Sequence, residues 1–102
     1  MNQQHTITES KVATVHGASY LKRLCRHFSH KVPTTVTDTQ GRIELPFGAC
    51  RIDVDNDQML FRIEVANPAD LDRAEEVVAR HLIQIANRDE PTVQWSRHAT
   101  SS

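Results

Sequence analysis

From Gly41 onward, apolar and polar residues alternate through three consecutive segments. GRIELPFG (41–48) sets Ile43, Leu45 and Phe47 against Arg42 and Glu44. ACRIDVD (49–55) sets Cys50, Ile52 and Val54 against Arg51, Asp53 and Asp55, and QMLFRIEVA (58–66) sets Phe61, Ile63 and Val65 against Arg62 and Glu64. A period of two marks a strand with one buried face. VPTTVTD (32–38), rich in β-branched residues, reads as a further strand just before them. The links DTQG, PFGA and DNDQ carry turn residues and are short enough for hairpins, so the sheet is antiparallel. On its wet face, opposite charges on neighbouring strands are expected to pair, which makes that face self-neutralising, a solvated surface rather than a phosphate-binding one.

On either side of this region the period lengthens. In ASYLKRLCRHFSH (18–30), Tyr20, Leu21, Leu24, Cys25 and Phe28 recur at helical spacing as one apolar stripe. Pro33 requires an extended residue before it, so this helix ends by about Lys31. KVATVH (11–16) ahead of it reads as a short strand that Gly17 breaks. NPADLDRAEEVVARHLIQIANRD (67–89) is the second helix, with Asn67 as N-cap, Pro68 at the first helical position and Asp70 completing a turn like a capping box. Its stripe is Leu71, Ala74, Val78, His81, Leu82 and Ile85. TVQW (92–95) can add an edge strand, with Trp95 covering one end of the core. Residues 1–9 and 98–102 read as polar tails, leaving a single α+β domain over residues 10–97.

The order β-α-β-β-β-β-α is most simply assembled as a two-layer domain, a curved antiparallel sheet with both helices on its apolar face. That order is similar to the TATA-binding-protein-like arrangement. The analogy concerns fold alone and implies no DNA binding.

Composition narrows the function classes. At 102 residues, 38% hydrophobic and 25% charged, the chain fits one small globular domain. No apolar run is long enough to span a membrane. The start MNQQHTITES has neither a basic region nor an apolar core, so the expected location is cytoplasmic. Cys25 and Cys50 are too few for a disulfide framework and match no zinc spacing, so both read as reduced core thiols. Net charge is −1 but unevenly spread: Lys11 to Thr37 holds five Lys or Arg and no acid, whereas Asp38 onward holds seven Arg against twelve acids. A nucleic-acid binder needs a net basic face, which this distribution does not supply.

The densest chemistry is LCRHFSHK (24–31). Lys22, Arg23, Arg26, His30 and Lys31 form a basic helix face that suits an anionic small molecule or an acidic partner protein. Without a ligand it is an ordinary solvated face. His27 lies on the border with the apolar stripe, and His81 falls inside the stripe of the second helix. If the helices share one sheet face, His27, His81 and Cys25 form the alternative site, for a metal or haem iron. The bland reading of His81 is a core histidine with one satisfied hydrogen bond.

Asp53, Asp55, Asp57 and Glu64 mimic the spacing of a calcium loop. Gln58 stands where glycine is needed, however, and the flanks are strands, so this is a hairpin tip. No motif of nucleophilic, phosphate-loop or metalloprotease chemistry is present, and no cofactor is named by the sequence. A small enzyme would have to use a pocket lined by His27 and His81. A homodimer is compatible with all of these readings.

YLKRLCRHFSHKVP, GRIELPFGACRIDVD and ARHLIQIANRDEPTVQW resemble the domain of unknown function 2218 (DUF2218) family, over about residues 10 to 97. Ile85 stands where the pattern carries an aromatic residue. Related domains in that family are linked to FAD-binding siderophore-interacting reductases. The resemblance therefore implies an accessory or binding role near siderophore or iron metabolism, with such a reductase as a partner, and it supplies no catalytic residues.

Overall fold

The computed structural model describes residues 5–99. Its elements are β1 (Ile7–Ala13), α1 (Gly17–Ser29), β2 (Thr34–Val36), β3 (Gln40–Leu45), β4 (Gly48–Val54), β5 (Gln58–Val65), a 3-10 turn (Pro68–Asp70), α2 (Leu71–Ile85) and β6 (Ser96–His98). The six strands form one antiparallel sheet in the order β2-β3-β4-β5-β1-β6. Both helices lie on its apolar face, as the pattern requires. Helix α1 covers β2, β3 and β4, α2 covers β1 and β5, and the helices touch each other.

The alternating residues meet the two helical stripes in one core. Tyr20, Leu21, Leu24, Ile43, Cys50, Ile52, Ile63, Ala74 and Leu82 are fully buried there. Strand β3 passes directly beneath α1 at Gly41. A Cβ at that position would lie 2.7 Å from Leu21 Cδ1 and 2.8 Å from Cys25 Sγ. Glycine is what permits this close approach of strand and helix.

The ends of the chain differ from expectation. Strand β1 begins at Ile7, so residues 7–9 belong to the sheet rather than to a tail, and it stops at Ala13, leaving Val15 and His16 outside it. Its core-facing positions include Thr8 and Ser10, both buried, and these polar residues hide the alternation. Residues 1–4 and 100–102 of the expected tails lie outside the described residues. Helix α2 is shorter than the periodic segment that contains it. The Asn67 side chain accepts from the Ala69 backbone N–H at 3.0 Å, but Asp70 makes no side-chain cap bond.

After Ala86 the chain runs irregularly along the edge of the core, with Val93 and Trp95 half-buried and Trp95 edge-on to Phe61 at 6.3 Å. Pairing with β1 starts at Ser96, so the final strand is 96–98 rather than 92–95, and His98 belongs to it. Two clasps set this path. At one end the Asp89 carboxylate accepts from the Tyr20 hydroxyl at 2.6 Å and the Thr14 hydroxyl at 2.7 Å. At the other end Arg97 Nε and Nη2 donate to Glu75 at 2.8 and 2.6 Å, and Nη2 also reaches Asp72.

The wet face also corrects an expectation. Register sets Arg42 opposite Arg51, and Arg51 opposite Arg62, so like charges line up across the strands. Neutralisation comes mostly along each strand, through Arg42–Glu44 and Arg51–Asp53, and across strands at Glu9, which meets Arg62 and His98.

Candidate functional site: the outer arc of the first helix

An α-helix turns about 100° per residue. Lys22, Arg26, His30 and Arg23 therefore fall on one arc, opposite the stripe of Tyr20, Leu21, Leu24, Cys25 and Phe28. Lys31 follows just past the helix end. The stripe is buried and all five basic residues are exposed. The stripe fixes the rotation of α1 against the sheet, and that rotation presents the cations to solvent.

Charge pairing distinguishes this arc from most of the cations elsewhere, where among the described residues only Lys11 and Arg88 also lack a carboxylate within 4.0 Å. Arg42, Arg51, Arg62, Arg73, Arg80 and Arg97 each have a carboxylate within 4.0 Å. Arg23, Arg26 and Lys31 have none among the described residues. Lys22 Nζ lies 3.8 Å from Asp38 Oδ1, a pair with side chains 58% and 96% exposed, which solvent screens heavily. Between α1 and β2 lies a groove of about 340 Å³ bordered by Lys22, Arg26, Thr34, Thr37 and Asp38. The arc thus has uncompensated positive charge beside a cleft.

The two borders of the helix face different neighbours. His27 is exposed, yet its ring centroid is 4.7 Å from that of His81, and His81 lies 4.8 Å from the Phe28 ring. His81 Nδ1 is 2.6 Å from the Val77 carbonyl oxygen. A carbonyl only accepts, so Nδ1 carries a proton, which leaves Nε2 as the ring nitrogen that can present a lone pair. Desolvation of the ring lowers the His27 pKa, with further lowering from His81, Lys31 and His30.

Cys25 lies on the other border, about 160° around the helix. It packs against β3, and burial pushes its thiol up to about 11. The structure therefore joins His27 to His81 and separates Cys25 from both, which corrects the three-residue cluster. Among the described residues no group of three or more His, Cys, Asp or Glu side chains is placed to hold a metal ion.

Three arrangements escaped the sequence reading: the Asp89 clasp on Tyr20 and Thr14, the Thr8–Glu75–Arg97 chain, and the arginine row. The Asp89 bonds and the Thr8–Glu75 bond join residues more than 60 positions apart, and no local pattern announces them. The third was latent in the hairpin lengths.

These features define a small two-layer α+β domain with an unneutralised basic helix face. No described helix is long and apolar enough to cross a membrane. The chain belongs to the family described as uncharacterized proteins conserved in bacteria (DUF2218), whose model matches residues 9–96. Among solved structures it is similar to that of PA4090 from Pseudomonas aeruginosa, determined by NMR. The two are 28% identical with a TM-score of 0.74, and the match covers 89% of this chain and 95% of that one. No curated protein matches it.

Proposed function

We propose that this protein is a non-catalytic binding domain that holds an anionic ligand or an acidic partner on Lys22, Arg23, Arg26, His30 and Lys31. The observation that carries this reading is the contrast in pairing. Six of the seven arginines outside the arc have carboxylate partners, while Arg23, Arg26 and Lys31 have none among the described residues. Guanidinium forks left free in this way suit carboxylate and phosphate groups. The family resemblance supplies the context of siderophore or iron metabolism, with a ferric chelate as the small molecule or a siderophore-interacting reductase as the partner.

The test is to titrate the protein with ferric citrate, carboxylate-bearing ferric siderophores and a purified siderophore-interacting reductase, and to repeat it with Arg23→Glu/Arg26→Glu. Both side chains are exposed, so the double variant should keep its unfolding midpoint while losing binding. Wild-type affinity in the variant, or no binding by the wild type, removes the proposal.

The adjacency of His27 and His81 favours a second reading, as two ligands to a transition metal or haem iron. Ligand–metal distances near 2.1 Å are compatible with imidazoles this close. Stoichiometric zinc or nickel uptake, or a Soret shift with haem, that is lost in His81→Ala would support it. A wild-type protein indifferent to all three would end it.

A further inference from the structure

The helices leave the other face of the sheet open, and a second set of cations stands there. Arg42, Arg51 and Arg62 are direct neighbours across β3, β4 and β5. Strands lie ~4.8 Å apart, so the row spans about 10 Å. Like charges directly opposite one another destabilise a sheet. A face built for stability alone would set acids between these arginines.

The carboxylate bonds of Arg42 and Arg51 are of one kind, and that of Arg62 is of another. Arg42 Nε donates to Glu44 at 2.6 Å and Arg51 Nε to Asp53 at 3.3 Å, while Arg62 Nη1 donates to Glu9 at 3.1 Å. A guanidinium has five N–H donors in a rigid fork. Bonds at Nε orient Arg42 and Arg51 and leave their paired Nη groups without a partner among the described residues. The row borders a hollow of about 90 Å³, lined also by Ala49 and Glu64. Liquid water takes about 30 Å³ per molecule, so the hollow admits a head group of a few heavy atoms. Ala49 keeps it open, since any larger side chain there would occupy it.

We propose that this hollow binds the phosphate group of a small phosphorylated molecule. The free Nη pairs of Arg42 and Arg51 and the remaining donors of Arg62 offer more donors than the two oxygens of a carboxylate can accept, whereas a phosphate has enough oxygens for all three side chains. Glu64 shares the rim with no described partner, so its charge works against an anion. This predicts opposite signs for neighbouring substitutions. The site is separate from α1, which lies on the other side of the sheet.

The experiment is an amide NMR titration of the full chain with inorganic phosphate and, separately, pyrophosphate. Shifts should centre on Ala49, Arg51 and Arg62. Arg51→Gln should weaken binding about tenfold or more, Ala49→Leu should abolish it, and Glu64→Gln should tighten it. Arg23→Glu/Arg26→Glu should leave it unchanged, which keeps this test distinct from that of the helix arc. Absence of shifts around Ala49, shifts confined to α1, or affinity indifferent to both Arg51→Gln and Ala49→Leu would each overturn the proposal.

Discussion

Arg97→Ala should unfasten the last strand from α2 and cost about 2 kcal/mol. The Glu75 carboxylate accepts two bonds from Arg97, at 2.6 and 2.8 Å, and one from the Thr8 hydroxyl at 2.7 Å. The Glu75 side chain is only 13% exposed and Thr8 is fully buried. Removing Arg97 leaves a mostly desolvated carboxylate with a single neutral donor. Hydrogen bonds to charged groups contribute roughly 1.5–3 kcal/mol each. The Arg97 side chain is 36% exposed, so screening holds the total near the low end of that range. For a domain of this size, about 2 kcal/mol lowers the melting temperature by roughly 10 °C.

The same clasp has a pH signature. Burial pushes the Glu75 carboxyl up, but the hydrogen bonds from Arg97 and Thr8 outweigh it and hold the pKa below the ordinary value. A carboxylate lowered in the folded state contributes stability that is fully present above its unfolded pKa of about 4.3. That stability is lost as pH falls through the lowered folded value. Urea unfolding of wild type and Arg97→Ala should therefore differ by about 2 kcal/mol at neutral pH, with the gap closing below about pH 4. A neutral-pH gap under about 0.5 kcal/mol is the size of an ordinary surface substitution. That result, or a gap indifferent to acid, would refute the clasp.

Gly41→Val forces a branched side chain into Leu21 and Cys25, and urea unfolding should show a loss of about 1–3 kcal/mol. Burial pushes the Cys25 thiol up to about 11 and the Cys50 thiol up to about 12, so both should resist alkylation at pH 8 until denaturant is added. Fast labelling of the native protein would contradict that burial. Arg51→Thr removes the middle of three aligned cations, and the sheet should gain about 0.5 kcal/mol in denaturant unfolding. A clear loss of stability there would mean that the row serves the fold.

The sequence pattern carried the central sheet and both helices because their buried faces follow regular periods. Phe61, Ile63 and Val65 at every second position, and Leu71, Ala74, Val78 and Leu82 at helical spacing, lie where that periodicity puts them. Strand β1 was half-hidden because Thr8 and Ser10 face inward, and Thr8 is satisfied by Glu75, 67 positions away. The 96–98 strand was hidden for the same reason: long-range clasps hold it, and its residues are polar. The arginine row follows from turn length. A two-residue turn at Pro46–Phe47 pairs Leu45 with Gly48, which sets Arg42 opposite Arg51, and the turn at Asn56–Asp57 repeats the alignment at Arg62. Register, and not composition, decides whether charges on neighbouring strands attract or repel.

On α1, the segment Leu24 to Lys31 divides among three surroundings. Cys25 faces β3, His27 faces His81 on α2, and the cations between them face solvent. This division gives one substitution opposite effects on the two candidate ligands. The cations attract an anion and repel a dication held at His27 and His81. Arg23→Glu/Arg26→Glu reverses both effects. The double variant should abolish binding of an anionic ligand and strengthen binding of zinc or nickel by the imidazole pair. Weakening of both would point instead to a disturbed helix, and an unshifted unfolding midpoint in the same sample would exclude that cause. An anion whose affinity survives the reversal would have to bind elsewhere, and the arginine row across the sheet is where the amide titration would then place it.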